Sequence, residues 1–187
     1  MMTPSVQGSL SRQLRQNDDQ MLYLMLKPAP EQAAAMDRLR VQYDLARNYA
    51  AERFHITLLP FGDIRMLSSD DLMCIRHAMA SLQAEPFEVT LNRISGNALV
   101  GNRMRALRDF QRVLLARLNA FGIDIDIDYT FDPHASLTYQ PWKRRNIPVP
   151  PISWGAEQLL LVNSIHGVGH ELIDSWPLIS RQGAFDF

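Results

Sequence analysis

A chain of 187 residues, nearly half of them hydrophobic, is long enough to bury one sizeable core. Its formal charge of −1 creates no global field toward nucleic acid or an anionic membrane, so any binding of RNA must come from a local patch. The single cysteine, Cys74, excludes an intramolecular disulfide, and charges or prolines break every apolar run short of the ~18 residues a membrane helix needs, so a soluble, cytoplasmic protein is expected.

Residues 1–20 are polar, lack an apolar signal-peptide block and read as a mobile leader to a single domain over 21–187. Met21 to Lys27, closed by Pro28 and Pro30, has the pattern of a strand buried on both faces. Helical spacing from Glu31 to about Asn48 predicts a helix, and Arg53 to Pro60 a second strand. Ser68 to Asp71 reads as an N-terminal cap for a helix carrying Leu72, Ile75, Ala78, Met79 and Leu82, with His77 on its surface and Cys74 as a small core residue. Phe87 to Ile94 alternates as a half-exposed strand, Ala98 to Val100 follows a turn at Gly96, and Arg103-Met104-Arg105 is predicted to continue the meander. Leu107 to Phe121 is the clearest amphipathic helix.

Ile123 to Tyr129 alternates strictly, placing Asp124, Asp126 and Asp128 on one side of an extended segment; three carboxylates on a flat strand read as its solvated face rather than as a cation site. The prolines between Pro141 and Pro151 suit a loop. Glu157 to Ile165 and Glu171 to Ile179 read as two strands joined at Gly167 and Gly169, with His166 and His170 in the turn. The fold class expected from this order is α+β, built mostly on antiparallel pairing.

Two stretches carry chemistry. Phe54-His55-Ile56-Thr57-Leu58 and Pro133-His134-Ala135-Ser136-Leu137 each hold an imidazole and a hydroxyl two residues apart in an apolar run, which on a strand share a face. Each follows a helix and enters through an aromatic approach, Phe54 in one case and Tyr129 and Phe131 in the other. The economical picture is two related lobes whose motif strands face one another across a groove. Two imidazoles and two hydroxyls match general acid–base cleavage of a phosphodiester: one neutral imidazole takes a proton from the attacking hydroxyl, the other, protonated, gives one to the leaving oxygen. Thr57 and Ser136 would donate to the non-bridging oxygens. The scheme needs no metal and no other cofactor.

These paired motifs resemble the His-x-Thr/Ser signatures of the 2H phosphoesterase superfamily, in particular its LigT-like branch of 2′-5′ RNA ligases and RNA 2′,3′-cyclic phosphodiesterases. The resemblance extends from about Met21 to Leu178, through the Phe131–His134 entry and the closing Trp176-Pro177-Leu178. It implies a bilobal fold of two mostly antiparallel sheets with helices outside and a central groove. It also implies His55 and His134 as the acid/base pair and Thr57 and Ser136 as phosphate-oxygen ligands; the expected partner is an RNA terminus or small nucleotide, with no metal and no membrane, and the expected state is a monomer. Ser136 stands where Thr is commoner, which keeps the donor and loses the methyl that limits its rotamers.

For the rest of a nucleotide, Tyr139 and Trp142 can stack on a base, and Arg103, Arg105 and Lys143 can hold phosphates. Rival readings are a nucleotide-binding module that keeps the groove without turnover, and a metal-dependent hydrolase using the aspartate row or the extra histidines.

Overall fold

The computed structural model describes residues 20–102, 104–125, 130–140 and 146–179. The leader reading falls outside them. Two four-stranded antiparallel sheets and three α-helices make up the described chain, an α+β architecture as expected. No helix among the described residues is long and apolar enough to cross a membrane.

The first sheet has the order β2-β1-β7-β8, from strands β1 (Gln20–Leu26), β2 (Ile56–Asp63), β7 (Gln158–Ile165) and β8 (Gly169–Pro177). The second has the order β5-β4-β3-β6, from β3 (Phe87–Ser95), β4 (Ala98–Val100), β5 (Ala135–Ser136) and β6 (Ile147–Ala156). Strands β1, β3, β4, β7 and β8 lie where the sequence pattern put them. Each motif begins an edge strand, β2 in one sheet and β5 in the other, and these two edges contact one another. One apolar core joins the lobes, running from Leu24, Ile56 and Leu161 in the first to Leu91, Leu99 and Leu114 in the second.

Three expected elements are corrected. Helix α1 (Pro30–Gln42) stops short of Asn48, because Asp44 takes a left-handed conformation at φ 53°. The Leu45 N–H then bonds to the Arg40 carbonyl and the Asp44 N–H to that of Val41, the double closure that ends a helix. The segment from Pro148 to Pro151 is not a loop but part of β6. That strand is an edge, where a proline's missing N–H can face away from the ladder. Arg105 is not on a strand: it opens helix α3 (Arg105–Ala120).

Helix α2 (Ser69–Ala80) starts as expected, with Ser68 and Asp71 in a reciprocal capping box; His77 is exposed on it and Cys74 half-buried rather than core. Of the aspartate row, Asp124 is exposed between Ile123 and Ile125, which pack on the core; Asp126 and Asp128 lie outside the described residues.

A buried charge organises the approach to β2. Arg40, 1% exposed, bonds through Nε to Asp37 (2.9 Å) and through a terminal nitrogen to the Tyr49 carbonyl (2.9 Å). Its guanidinium also lies 4.9 Å from the Tyr49 ring centroid and 4.6 Å from that of Phe54. One side chain thus fixes the loop that delivers the residue before His55. Arg40→Met should lower unfolding stability in urea by about 3 kcal/mol, the low end for a broken buried pair because Asp37 keeps Arg47 as a partner. A loss below about 1 kcal/mol would show that the loop is held otherwise.

Candidate active site

His55 stands directly before β2, after a single 3-10 turn at Ala51–Arg53, and His134 directly before β5. Neither is inside its strand, as the pattern had suggested. Each projects from the end of an edge strand, and each is fixed by the same local bond. His55 Nδ1 lies 2.7 Å from the Arg53 carbonyl, and His134 Nδ1 lies 2.7 Å from the Asp132 carbonyl. A carbonyl can only accept, so both Nδ1 atoms carry the proton. Nε2 is therefore the reactive nitrogen of each ring, an acceptor when neutral and a donor when charged.

The approaches are matched as well. Arg40 of α1 holds the Tyr49 carbonyl and stacks on Phe54, while Arg108 of α3 donates to the Phe131 carbonyl at 2.9 Å with its guanidinium 5.9 Å from the Phe131 ring. In both lobes an arginine of the preceding helix ties down the aromatic approach to the histidine. Downstream of β5, the Asn97 carbonyl at the β3–β4 turn accepts from the Leu137 and Thr138 N–H groups, and the Asn97 amide donates to the Thr138 carbonyl at 2.8 Å.

Thr57 and Ser136 are both half-buried, as ligand-facing hydroxyls need to be. Thr57 sits opposite Met25 of β1, and Ser136 opposite Ala98 of β4. The Tyr49 hydroxyl donates to the Ser136 carbonyl, crossing from one lobe to the other. Tyr139, half-exposed, lies with its ring 4.8 Å from that of Tyr49 at 39°. It is thus placed beside the motif strand, with one aromatic face already partnered. Arg105 is 90% exposed and pairs with Asp109 at 3.6 Å; it borders a depression on the second sheet formed with Thr90, Asn102 and Met104. Arg103, Trp142 and Lys143 lie outside the described residues.

The sequence reading missed His170. It is not in the turn but on β8, and its ring meets that of His55 edge to face at a centroid distance of 4.9 Å. The register explains the shared face: Thr57 opposes Met25, Tyr23 opposes Val162, and Ser164 opposes His170, with period-two steps between. The two histidines start from diagonal corners of the sheet, and the strands between them carry register shifts at Leu22/Tyr23, Leu24/Met25 and Leu161/Val162, irregularities of the kind that bend a strand and raise its twist. A histidine at a hairpin turn gives no signal of this in sequence.

The electrostatics are lopsided. Burial, then the charges of Lys27, His134 and Arg53, hold the His55 imidazole below its ordinary range, against the bond to the Arg53 carbonyl, which favours the charged form. His170 is pushed down to about 3 by burial and by His55, Lys27 and Arg53. Lys27 is itself lowered, by burial and by Arg53. His134, by contrast, is exposed. Among the described residues no three His, Cys, Asp or Glu side chains are grouped as a metal site.

The His55 ring, followed by NMR, should titrate below the ordinary histidine value near 6.5. Lys27→Met should move its midpoint upward, because removing a neighbouring cation relieves the penalty on the charged ring. An unmoved or lower midpoint would show that Lys27 does not act on His55.

No family model matches the chain, and no curated protein matches it in sequence. Solved structures do. Apo LigT of E. coli superposes with a TM-score of 0.70 at 18% identity, over 87% of this chain and 99% of that one. A protein described as a phosphoesterase gives 0.69 at 17%, over 87% and 99%. TT0787 of Thermus thermophilus gives 0.61 at 21%, over 84% and 97%. LigT has also been solved with 3′-AMP, ATP and NADP+. The chain therefore has the fold of LigT along nearly the whole length of that protein, with its two histidine motifs on facing edge strands.

Proposed function

We propose that this protein is a metal-independent 2H phosphoesterase that cleaves 2′,3′-cyclic phosphate or 2′-5′ phosphodiester bonds of RNA or small nucleotides. The observation that carries the reading is the matched pair of Nδ1–H to carbonyl bonds, 2.7 Å each, on two edge strands that face one another. They leave two Nε2 atoms of equivalent tautomer for one ligand. The likeness to LigT, solved with nucleotides, agrees with it.

In this mechanism the scissile phosphate lies between the strand ends, and Thr57 and Ser136 donate to its non-bridging oxygens. One Nε2, unprotonated, removes the proton from the attacking water or ribose hydroxyl. The other, protonated, delivers a proton to the leaving ribose oxygen, and the P–O bond to that oxygen breaks as the new one forms. A cyclic substrate opened by water with departure of the 3′-oxygen gives a 2′-phosphate. The lowered His55 supplies the unprotonated member of the pair, which leaves the acid role to His134. Tyr139, beside the motif strand, is the described group that can meet a base.

His55→Ala and His134→Ala should each lower kcat/KM on a 2′,3′-cyclic nucleotide by at least ~10², the usual contribution of one positioned acid or base. Circular dichroism should show both variants folded, and a product-resolved assay in excess chelator should show wild-type activity undiminished. Near-normal turnover in either variant would contradict the paired role, and loss of activity to chelator would favour a metal-dependent hydrolase. Tight binding of the cyclic nucleotide with no product would favour a binding module.

A further inference from the structure

The scissile phosphate of the proposed reaction needs His55, His134, Thr57 and Ser136, and these lie where β2 meets β5. Three further basic side chains, Lys27, Arg53 and the neutral imidazole of His170, gather around His55. Lys27 follows Leu26, the last residue of β1, which pairs with Ile56, so it stands at the strand end next to His55 and acts on its charge. His170 reaches the same ring from β8 at 4.9 Å. Arg53 offers its carbonyl to His55, and its guanidinium lies 6.0 Å from the Tyr49 ring. Strands β1 and β8 both lie beyond β2 from β5, so this group extends the groove across the first sheet.

Two observations mark the group as built for a ligand. His170 Nδ1 and Arg53 Nε are both buried, and neither has a hydrogen-bond partner. A buried polar atom without a partner costs about 1–3 kcal/mol, so two of them on residues that both contact His55 call for a partner that a ligand can supply. Burial, then His55, Lys27 and Arg53, keep the proton off His170, and Lys27 and Arg53 repel one another. Glu52 acts on Lys27 in the opposite sense but is exposed. A group that relieves this mutual repulsion and accepts from both orphaned nitrogens is an anion with several acceptor oxygens.

We infer that Lys27, Arg53 and His170 form a second phosphate subsite next to the catalytic pair, so that the preferred substrate carries another phosphate about one sugar away from the reacting one. The inference rests on the phosphoesterase reading for its substrate and gives that reading a specificity. Lys27 and Arg53 supply the charge. His170 donates from Nδ1 and, by packing on His55, couples occupancy of the subsite to the orientation of the catalytic ring.

The test compares 2′,3′-cyclic AMP bearing a 5′-phosphate with the same nucleotide bearing a 5′-hydroxyl. Wild-type kcat/KM should favour the phosphorylated form by roughly tenfold or more, the worth of one or two charge-assisted hydrogen bonds. That ratio should fall toward one in Lys27→Met and in His170→Gln. Alongside, calorimetry measures binding of adenosine 2′,5′-bisphosphate against adenosine 2′-monophosphate, with the bisphosphate expected to bind roughly tenfold tighter to wild type and equally to Lys27→Met. Turnover without a preference for the 5′-phosphate, together with equal binding of the two nucleotides, would overturn the subsite and leave the phosphodiesterase reading standing. A binding preference without turnover of either cyclic nucleotide would uphold the subsite and sink the phosphodiesterase reading.

Discussion

A single hydrogen bond, made twice, is the constraint on which the site depends: histidine Nδ1–H to the main-chain carbonyl two residues earlier. It fixes the tautomer, aims Nε2 away from the backbone and removes one rotational freedom from each ring. The bond is only as well placed as the carbonyl that accepts it. That carbonyl belongs to a short irregular segment in each lobe, and such segments have no ladder to hold them. Arg40 and Arg108 take that part, each reaching from a rigid helix to the aromatic approach in front of its histidine. The chain of causes runs from helix to arginine, from arginine to loop, from loop to carbonyl and from carbonyl to ring.

The two halves are equivalent in local geometry and unequal in environment. His134 is exposed, while the His55 side is backed by β1, at whose end the charge of Lys27 acts on the ring, and by β8, whose His170 packs on it. Burial and like charge both work against a proton on His55, so an arrangement that is symmetric in backbone becomes asymmetric in environment. The asymmetry comes from the topology. Strands β7 and β8 return to the first sheet after the second lobe is complete, and β8 brings His170 with it.

The sequence shows the motifs, most of the strands and the antiparallel class because these rest on local periodicity. Leu107 to Phe121 and the Ser68 cap could be read residue by residue, since their signals lie within one helix. What failed depended on conformation or on distant partners. The end of α1 turns on Asp44 adopting a left-handed conformation, which its residue type permits without announcing. The prolines of β6 argue against a strand unless the strand is known to be an edge. Arg103 to Arg105, with Met104 between two arginines, alternates as a strand would, and the helix that claims Arg105 is visible only once its side chain is seen paired to Asp109. His170, Tyr49, Arg40 and Asn97 reach the site through contacts with residues far away in sequence, and no spacing rule marks them.

Whether the two imidazoles act as one unit on one phosphate is decided by a double-mutant cycle on kcat/KM for a 2′,3′-cyclic nucleotide. If they are a unit, the His55→Ala/His134→Ala double variant should be scarcely slower than the worse single variant, because removing one partner already ends concerted proton transfer. Losses that multiply, with the double variant slower by the product of the two single effects, would contradict the account and make the histidines independent contributors.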